Sequence, residues 1–508
     1  MSCVLGIDVG TTSTIGIVVR LPETVLGIAA RPVTLMSRRP GWAEEDPEQW
    51  WENVRAVTRE LIDRTGIDPH DIAGVGVTGM LPAVVLLDAE GNLLRPSIQQ
   101  SDGRVAAEVE DLKAELDEGA FLRRAGNGIN QQLVATKLRW IEKNEPDVFA
   151  RIAKVFGSYD YINWRLTGAR RVEQNWALEA GFVDIATHAL SPELIAHGHV
   201  PASAIPPKAL SHEVIGRITP EAAAATGLAA GTPVVGGAAD MIASALAAGV
   251  TEDGQVLLKF GGAFDILVAT GRAEPDPRLF LDYHLIPGLF MPNGCMSTGG
   301  SGLNWFASNF AGGEKQAADA AGLTLHQHLD RLADAVPAGA EGVAVVPYFL
   351  GEKTPIHDPF ARGTITGLSL SHGVGHVWRA LLEAYGYAAL HHVEVLRDMG
   401  HMPTSFLASD GGANSRVWMQ IVSDILQTPI RLLKGHPGSS LGAAWAAAVG
   451  TGQVRDWSGI GVFVQQGDLI TPNPANGPVY VEGYRRFREI YESLRHPPDL
   501  QKPAAAAN

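Results

Sequence analysis

The sequence predicts an α/β protein with two large domains of similar build. Its 508 residues exceed what one hydrophobic core usually organises. A strand–turn–strand unit opens the chain at residues 4–19, and a unit of the same kind follows at 254–269. Helical periodicity at residues 50–64 and 106–116 alternates with strand-like runs. Two α/β domains that face each other account for these observations.

The other elements follow in chain order. Residues 72–77 and 83–88 have the composition of strands, and residues 138–156 are typical of helices. Residues 201–207 are rich in proline and indicate a loop. A new strand begins at Thr232, near the middle of the chain.

Composition excludes several classes of protein. The formal net charge of −15 argues against nucleic acid and anionic membrane as partners, because both are polyanions. Two cysteines, Cys3 and Cys295, cannot build a disulfide framework or a cysteine-based zinc site. No signal-peptide pattern is visible, and residues 233–250, the longest weakly polar run, contain Asp240 and several glycines. We therefore expect a cytoplasmic enzyme or binding protein.

The first turn has the composition of a phosphate-binding loop. Asp8 ends a strand, and Gly10, Thr11 and Thr12 follow it. Glycine lets backbone N–H groups approach a phosphate closely, and threonine hydroxyls add donors. The Asp8 carboxylate suits a hydrated Mg²⁺ beside the same phosphate. An ordinary hairpin with polar turn residues is the alternative.

Two common nucleotide-binding patterns are excluded. Residues 74–79 match G-x-G-x-x-G, but these glycines alternate with valines inside a strand and no helix follows. The P-loop pattern G-x-x-x-x-G-K-[ST] does not occur. Residues 438–446 indicate a close-packed helix of small residues, which packing alone explains.

Asp240 is a candidate general base, because it follows a strand and begins a helix rich in small residues. In that role its carboxylate accepts the proton of a substrate hydroxyl that attacks a γ-phosphate. A carboxylate at this position equally suits the N-cap of the helix. The residues themselves leave both interpretations open.

Two further segments suit ligands. Asp102, Arg104 and Gln132 supply a carboxylate, a guanidinium and an amide, groups that pair with sugar hydroxyls. Gly411 and Gly412 precede a helix, where the backbone can touch a flat or anionic ligand. Solvated charges and a plain strand–helix turn are the respective alternatives.

Taken in order, these segments resemble the FGGY family of carbohydrate kinases. Residues 347–355, PYFLGEKTP, carry the most specific similarity, and residues 42–51 and 154–168 are also similar. The likeness extends over about residues 4–495, and xylulokinases are the most similar members. It implies two actin-like (ribonuclease H-like) ATPase domains with a cleft between them. It also implies ATP-dependent phosphorylation of a small sugar or polyol, with Mg²⁺.

The resemblance assigns roles to individual residues. Asp240 falls on the catalytic base, and Asp8 and Asp240 are expected at the Mg²⁺ ion. Sugar contacts are expected from Leu81, Pro82, Asp102, Arg104, Gln132 and Asp240. ATP contacts are expected from Thr11, Thr12, Gly261, Gly262, Gly300, Asn304, Gly411, Gly412, Ala413 and Ser415.

The same resemblance suggests domain limits. Residues 1–235 are expected to hold the sugar site and first phosphate loop, and residues 236–455 the base and adenosine pocket. Residues 456–508 are expected to form a C-terminal helix and a disordered tail. A homodimer is expected.

Two departures from the family pattern affect the expected activity. The second phosphate loop usually reads G-T-S, but here it is Gly261-Gly262-Ala263, so weaker ATP binding or slower turnover is expected. Leu81-Pro82 replaces the Met-His of xylulokinases, so we expect another four- or five-carbon ketose or alditol to outperform D-xylulose. An actin-like ATPase and a sugar-binding protein with weakened catalysis are the alternative functions.

Overall fold

The computed structural model describes residues 2–436 and 438–495. Its packing divides the chain into two units. The first unit contains residues 2–251, 271–291 and 438–464, and the second contains 252–270, 292–436 and 465–495. Residues 496–508, at the end of the segment expected to form a helix and a disordered tail, lie outside the described part.

A mixed seven-stranded sheet forms the centre of the first unit. Strand Ile72–Gly79 is flanked on one side by Cys3–Val9 and on the other by Pro233–Val235 and Ala238–Ala239, all parallel to it. The carboxyl ends of these strands therefore meet at one edge of the sheet. The full order is Val214–Arg217, Pro233–Val235, Ile72–Gly79, Cys3–Val9, Ser13–Arg20 and Thr24–Pro32, with Ala238–Ala239 also on Ile72–Gly79.

Helix Ser439–Gly450 packs directly on this sheet. A Cβ atom on Gly6 would lie 1.9 Å from the Ser440 carbonyl oxygen, and one on Gly76 would lie 2.1 Å from that of Ala443. Only glycine permits this close approach, since real Cβ contacts are never so short. Gly76 thus serves helix packing, in agreement with the exclusion of a dinucleotide fingerprint.

Helix Asp240–Ala247 also packs on Ser439–Gly450, where a Cβ on Gly442 would lie 2.1 Å from the Ala243 oxygen. This contact places residues 236–251 with the first unit. The division by packing therefore differs from the limit expected between residues 235 and 236.

Helix Pro47–Thr65 begins where the sequence encodes a start signal. The Asp46 side chain accepts a hydrogen bond from the Glu48 N–H, and Pro47 occupies the first turn. Gly66, with φ of 63°, ends the helix in the left-handed conformation. The other α-helices of this unit are Ala106–Glu115, Glu118–Ala125, Val134–Asn144, Pro146–Phe149, Ser158–Thr167, Gln174–Glu179, Pro192–Ala196 and Pro220–Thr226.

Short strands complete the first unit. The predicted helical segment 138–156 ends instead in strand Lys154–Phe156, because its apolar end pairs with Val85–Leu87. The remaining pairs are Glu44–Glu45 with Ser97–Ile98, Val172–Glu173 with Lys208–Ala209, and Val183–Asp184 with Ala189–Leu190. Phe280–Tyr283 is a further strand, and Pro69–Asp71, Ala202–Ala204 and Ser458–Phe463 are 3₁₀ turns.

The second unit has its own large mixed sheet. Its strands lie in the order Phe290–Met296, Phe264–Val268, Gln255–Phe260, Ser405–Ser409, Ile430–Lys434 and Gln465–Ile470. Gln255–Phe260 and Phe264–Val268 form the second predicted hairpin, and Ser405–Ser409 runs parallel to the first of them. A turn at residues 261–263 joins Gln255–Phe260 to Phe264–Val268, and a second turn follows Ser405–Ser409.

The helices of the second unit include the long, largely buried Val374–Asp398. The others are Gly300–Phe310, Lys315–Ala320, Leu325–Asp334, Arg416–Leu426 and Gly477–Leu494. A hairpin of Ala344–Val346 and Thr364–Thr366, and 3₁₀ turns at Gly312–Glu314, Ala340–Gly342, Gly411–Asn414 and Pro474–Asn476, complete it. Across the described residues, every helix is too short or too polar to span a bilayer.

Candidate active site

Two aspartates lie at the carboxyl edge of the first unit's sheet. The register pairs both Asp8 and Ala238 with Thr78, from opposite sides of its strand. Asp240 follows two residues after Ala238 and begins helix Asp240–Ala247. The two carboxylates thus belong to strand ends separated by a single strand, the position where open α/β sheets bind ligands.

Asp240 makes a hydrogen bond within the first turn of its helix. The N-cap residue of this helix is Ala239, which makes no side-chain capping bond of its own. Asp240 Oδ1 accepts a hydrogen bond of 2.6 Å from the adjacent Met241 N–H, and its side chain is half-buried. This bond satisfies one N–H of the first turn, and the position at the sheet edge suits the functional interpretation as well.

Asp8 is held by a residue that the sequence analysis explained by packing alone. The Ser439 hydroxyl donates a hydrogen bond of 2.7 Å to Asp8 Oδ2. Ser439 is the first residue of helix Ser439–Gly450, directly after Gly438, whose φ is 80°. The small-residue helix therefore has a second role, because its first side chain orients Asp8.

The first turn presents polar groups beside Asp8. The Gly10 N–H donates to the Ser13 carbonyl at 3.1 Å and closes the turn. Thr11 is half-buried and Thr12 is exposed. This arrangement is that of a short turn with accessible hydroxyls, as predicted.

Asp102 and Arg104 form an internal ion pair. Asp102 Oδ1 accepts from the Arg104 N–H and Nε, and Oδ2 accepts from Arg104 Nη2 and the Ala43 N–H, at 2.6–3.0 Å. A carboxylate has about four acceptor positions, so these bonds saturate it. The geometry therefore does not favour the direct sugar contact expected of Asp102, which instead holds Arg104.

Arg104 is enclosed on several sides. Its guanidinium carbon lies 3.8 Å from the centre of the Trp42 ring and 4.8 Å from that of Trp140, and Nη2 is 2.8 Å from Glu44. Burial alone would lower the pKa of Arg104, but the bonds and charges of Asp102 and Glu44 raise it. Its Nη1 is buried without a hydrogen-bond partner among the described residues. One donor of this guanidinium is therefore left for a ligand.

Lys137, which the sequence analysis missed, links the two segments expected at the sugar. Its Nζ donates to the Pro82 carbonyl at 3.0 Å and to the Gln99 carbonyl at 3.1 Å. The side chain is fully buried, and this burial lowers the pKa of Lys137 to about 7. The two backbone carbonyls and the charges of Asp102 and Glu179 favour the ammonium form against this burial.

The residues around Lys137 have both apolar and polar character. Leu81 and Pro82 are buried, in keeping with the expected apolar wall. The Gln132 amide donates to Gln100 Oε1 at 3.3 Å. Both side-chain polar atoms of Gln99 are buried without a hydrogen-bond partner in the described chain. Such unpaired groups normally find water or a ligand, which makes Gln99 a further candidate.

In the second unit, the glycine turns predicted at the nucleotide lie together. The N–H of Gly300 donates to the Gly261 carbonyl at 2.8 Å, and the N–H groups of Gly299 and Ser301 donate to Gly262 at 2.8 and 3.0 Å. A Cβ on Gly412 would lie 2.7 Å from Phe260 Cβ. The turns at 261–263, 299–301 and 411–413 therefore form one compact surface.

The remaining predicted ATP residues border this surface. Asn304 is exposed in helix Gly300–Phe310, and Ala413 is buried. The Ser415 hydroxyl donates to Asp330 at 2.7 Å and caps helix Arg416–Leu426 through the Trp418 N–H. The geometry thus gives Ser415 a structural task in addition to the expected one.

Comparisons with known proteins agree with this description. The model of the N-terminal domain of the FGGY family of carbohydrate kinases matches residues 3–247, and that of the C-terminal domain matches residues 270–451. The chain is 57% identical to xylulose kinase from Rhodospirillum rubrum, whose crystal structure superposes with a TM-score of 0.91 over 97% of this chain and 99% of that one. Xylulose kinase of Bacillus subtilis is 27% identical over 504 residues, 98% of each chain.

A crystal structure of gluconate kinase from Lactobacillus acidophilus is 25% identical, with a TM-score of 0.90 over 98% of this chain and 99% of that chain. These likenesses confirm the predicted fold of two actin-like (ribonuclease H-like) ATPase domains. They do not favour an assembly ATPase or a binding protein. Since the two family models together match most of its residues, the chain belongs to the FGGY family of carbohydrate kinases, ATP-dependent phosphotransferases with an alcohol group as acceptor.

Proposed function

We propose that Asp240 is the catalytic base of this kinase. Its carboxylate accepts the proton of a sugar hydroxyl while that oxygen attacks the γ-phosphorus of ATP, and ADP leaves. The observation that carries the proposal is the placement of Asp8 and Asp240 at strand ends separated by one strand. The half-buried position of Asp240 at the first residue of its helix is compatible with the same role.

We propose further that Asp8 and Asp240 hold Mg²⁺. Carboxylate oxygens are the donors that Mg²⁺ prefers, and it usually takes one or two of them while keeping several waters. Within the described chain, no three His, Cys, Asp or Glu side chains are grouped to hold a metal ion by themselves. The two carboxylates of Asp8 and Asp240 therefore fit a Mg²⁺ ion that arrives bound to the nucleotide. Bound Mg²⁺ would neutralise charge on the transferred phosphoryl group.

Each unit contains its own candidate nucleotide contacts. In the first unit we assign the phosphate-binding hydroxyls to Thr11 and Thr12. In the second unit the compact surface of glycine turns, with Asn304 at its border, is assigned to ATP. Close backbone approach, which these glycines allow, is what a phosphate or an adenine plane requires.

For the acceptor we propose a small ketose or alditol, and xylulose is the reference sugar for any comparison because relatives carry that name. Arg104 Nη1 and the Gln99 amide are buried unpaired groups that sugar hydroxyls would satisfy. Leu81 and Pro82 would reject a hydroxyl directed at them. Our expectation that another four- or five-carbon sugar outperforms D-xylulose therefore stays a prediction, as do the homodimer and the cytoplasmic location.

The test compares Asp240→Asn with the wild-type protein. We expect kcat to fall roughly 10²–10⁴-fold while the dissociation constant for ATP changes little. The matched control is Asp63→Asn, an exposed aspartate in helix Pro47–Thr65. Near-normal turnover by Asp240→Asn would remove Asp240 from the chemistry.

A sugar panel then identifies the acceptor. ADP release is measured with ATP alone and with ATP plus each of D-xylulose, L-xylulose, D-ribulose, erythrulose, gluconate and the matching alditols. Sugar-dependent release supports the kinase proposal. Release that no sugar stimulates would favour an ATPase, and sugar binding without release would favour a binding protein.

A further inference from the structure

We propose that Asp410 makes the nucleotide site of the second unit selective for metal-bound nucleotide, an inference that rests on the proposed ATP site. Asp410 directly follows strand Ser405–Ser409, which runs parallel to Gln255–Phe260 with Ser409 opposite Lys259. Asp410 therefore lies level with the end of that neighbouring strand. Its Oδ2 is 3.3 Å from the position that a Cβ on Gly261 would occupy. The carboxylate thus borders the turn assigned to phosphate.

The backbone of Asp410 has a conformation that normally belongs to glycine. Its φ is 69° and its ψ is −172°, a region that residues with a side chain avoid because of steric cost. Two glycines follow immediately, Gly411 and Gly412, yet the unfavourable conformation falls on the aspartate. Strain of this kind marks positions where a side chain has a task.

Among the residues that the structure describes, no hydrogen bond or ion pair of the Asp410 side chain offsets this cost. Within the described chain the half-buried Asp410 carboxylate has neither a hydrogen-bond nor an ion-pair partner, and only its backbone oxygen accepts, from the Ala413 N–H at 3.2 Å. The adjacent turn, Gly261-Gly262-Ala263, has no side-chain donor to offer a phosphate. An anionic group in this place repels bare phosphate oxygens.

A divalent cation reverses that repulsion. Carboxylates bind Mg²⁺ directly or through its water shell, and nucleotide phosphates supply the other oxygen ligands. Asp410 would therefore weaken the binding of metal-free ADP and strengthen that of Mg²⁺-ADP. The negative charge of the Asp410 side chain produces this preference for Mg²⁺-ADP. The strained backbone of Asp410 sets the position of that charge.

The experiment measures ADP binding by calorimetry, with saturating Mg²⁺ and with a chelator. Asp410→Asn removes the charge and keeps a side chain of the same shape on the strained backbone, whereas Asp410→Gly removes both charge and strain. In both variants we expect the affinity ratio of Mg²⁺-ADP to metal-free ADP to fall about tenfold or more, the order expected for one unit charge near phosphates. Asp410→Gly should also raise the melting temperature. Asp334→Asn, an exposed change in the same unit, controls for net charge and should leave the ratio unchanged.

An unchanged ratio in Asp410→Asn and Asp410→Gly overturns the inference. Asn304→Ala separates this failure from failure of the proposed ATP site. If Asn304→Ala weakens ADP binding while the Asp410 variants keep the wild-type ratio, the site stands and the role of Asp410 is wrong. If Asn304→Ala leaves ADP binding unchanged in both conditions, the proposed site itself is wrong.

Discussion

Replacing Glu352 by glutamine should change how the stability of the protein depends on pH. Glu352 is 4% exposed, and its Oε1 accepts from the Ser297 N–H at 2.7 Å and the Lys353 N–H at 2.8 Å. Burial outweighs these bonds and raises the pKa of Glu352 from 4.5 to about 8. Between these values the folded protein holds a proton that the unfolded chain has released. The stabilisation from Glu352 is therefore complete below pH 4.5 and is lost as the pH rises through 8.

The magnitude follows from the size of that shift. Each unit of pKa difference corresponds to about 1.4 kcal/mol, so Glu352 costs the folded state on the order of 4–5 kcal/mol once it is ionised. Glutamine keeps the acceptor oxygen and cannot ionise. We expect Glu352→Gln to match the wild-type protein at pH 5 and to exceed its stability by several kcal/mol above pH 8, as an order of magnitude.

Thermal unfolding midpoints of both proteins, measured from pH 5 to pH 9, give the required comparison. The exposed Glu252→Gln serves as the matched control, and its difference from the wild-type protein should not vary in the same way. A difference between Glu352→Gln and wild-type protein that stays constant over this range would refute the reasoning. Such a result would mean that Glu352 ionises in the folded protein near its usual pKa.

Three further outcomes follow from the geometry. Lys137→Met should raise KM for the sugar roughly tenfold or more, since a charged donor to two carbonyls is lost, and should leave KM for ATP unchanged; equal shifts in both constants would contradict this. Gly262→Thr with Ala263→Ser should tighten ATP several-fold in calorimetry, because Gly262 has no left-handed φ and no atom within 4 Å of its Cβ position. Unchanged affinity would place phosphate elsewhere. Gly76→Ala should destabilise the protein by about 3 kcal/mol or more in denaturant titrations, since its Cβ would lie 2.1 Å from a backbone oxygen of helix Ser439–Gly450; a small loss would show that the helix moves easily.

The fold was largely predictable because its signals are local. Both hairpins are encoded by short, mainly apolar runs on either side of a short turn, and both are present in the structure. Asp46 as the N-cap and Pro47 in the first turn mark the start of helix Pro47–Thr65. Strand Lys154–Phe156 was missed because three residues carry no periodicity, and only its partner, Val85–Leu87, defines it.

The candidate site was predictable only in part, because some of its residues are recognised by local sequence patterns and others only by contacts between distant segments. Asp8 and Asp240 stand at the junction of a strand with a turn or helix, which a local pattern reveals. Lys137 and Ser439 acquire their roles from partners 55 and 431 residues away along the chain. Local composition contains nothing about such contacts. A lysine in an amphipathic helix and a serine at a helix start are ordinary until the fold brings their partners to them.

For Asp102 and Arg104, the sequence alone does not predict whether the two charged side chains bind a ligand or pair with each other. A loop with the pattern Asp-x-Arg can offer both side chains to a ligand or pair them with each other, and the spacing permits either. Here Glu44 and the two rings of Trp42 and Trp140 decide the matter, because they enclose the guanidinium and leave the carboxylate saturated. The ion pair therefore fixes the Arg104 guanidinium so that its Nη1 group is held in a buried position. A sugar hydroxyl that meets this donor gains a charged hydrogen bond without the entropic cost of ordering an exposed arginine.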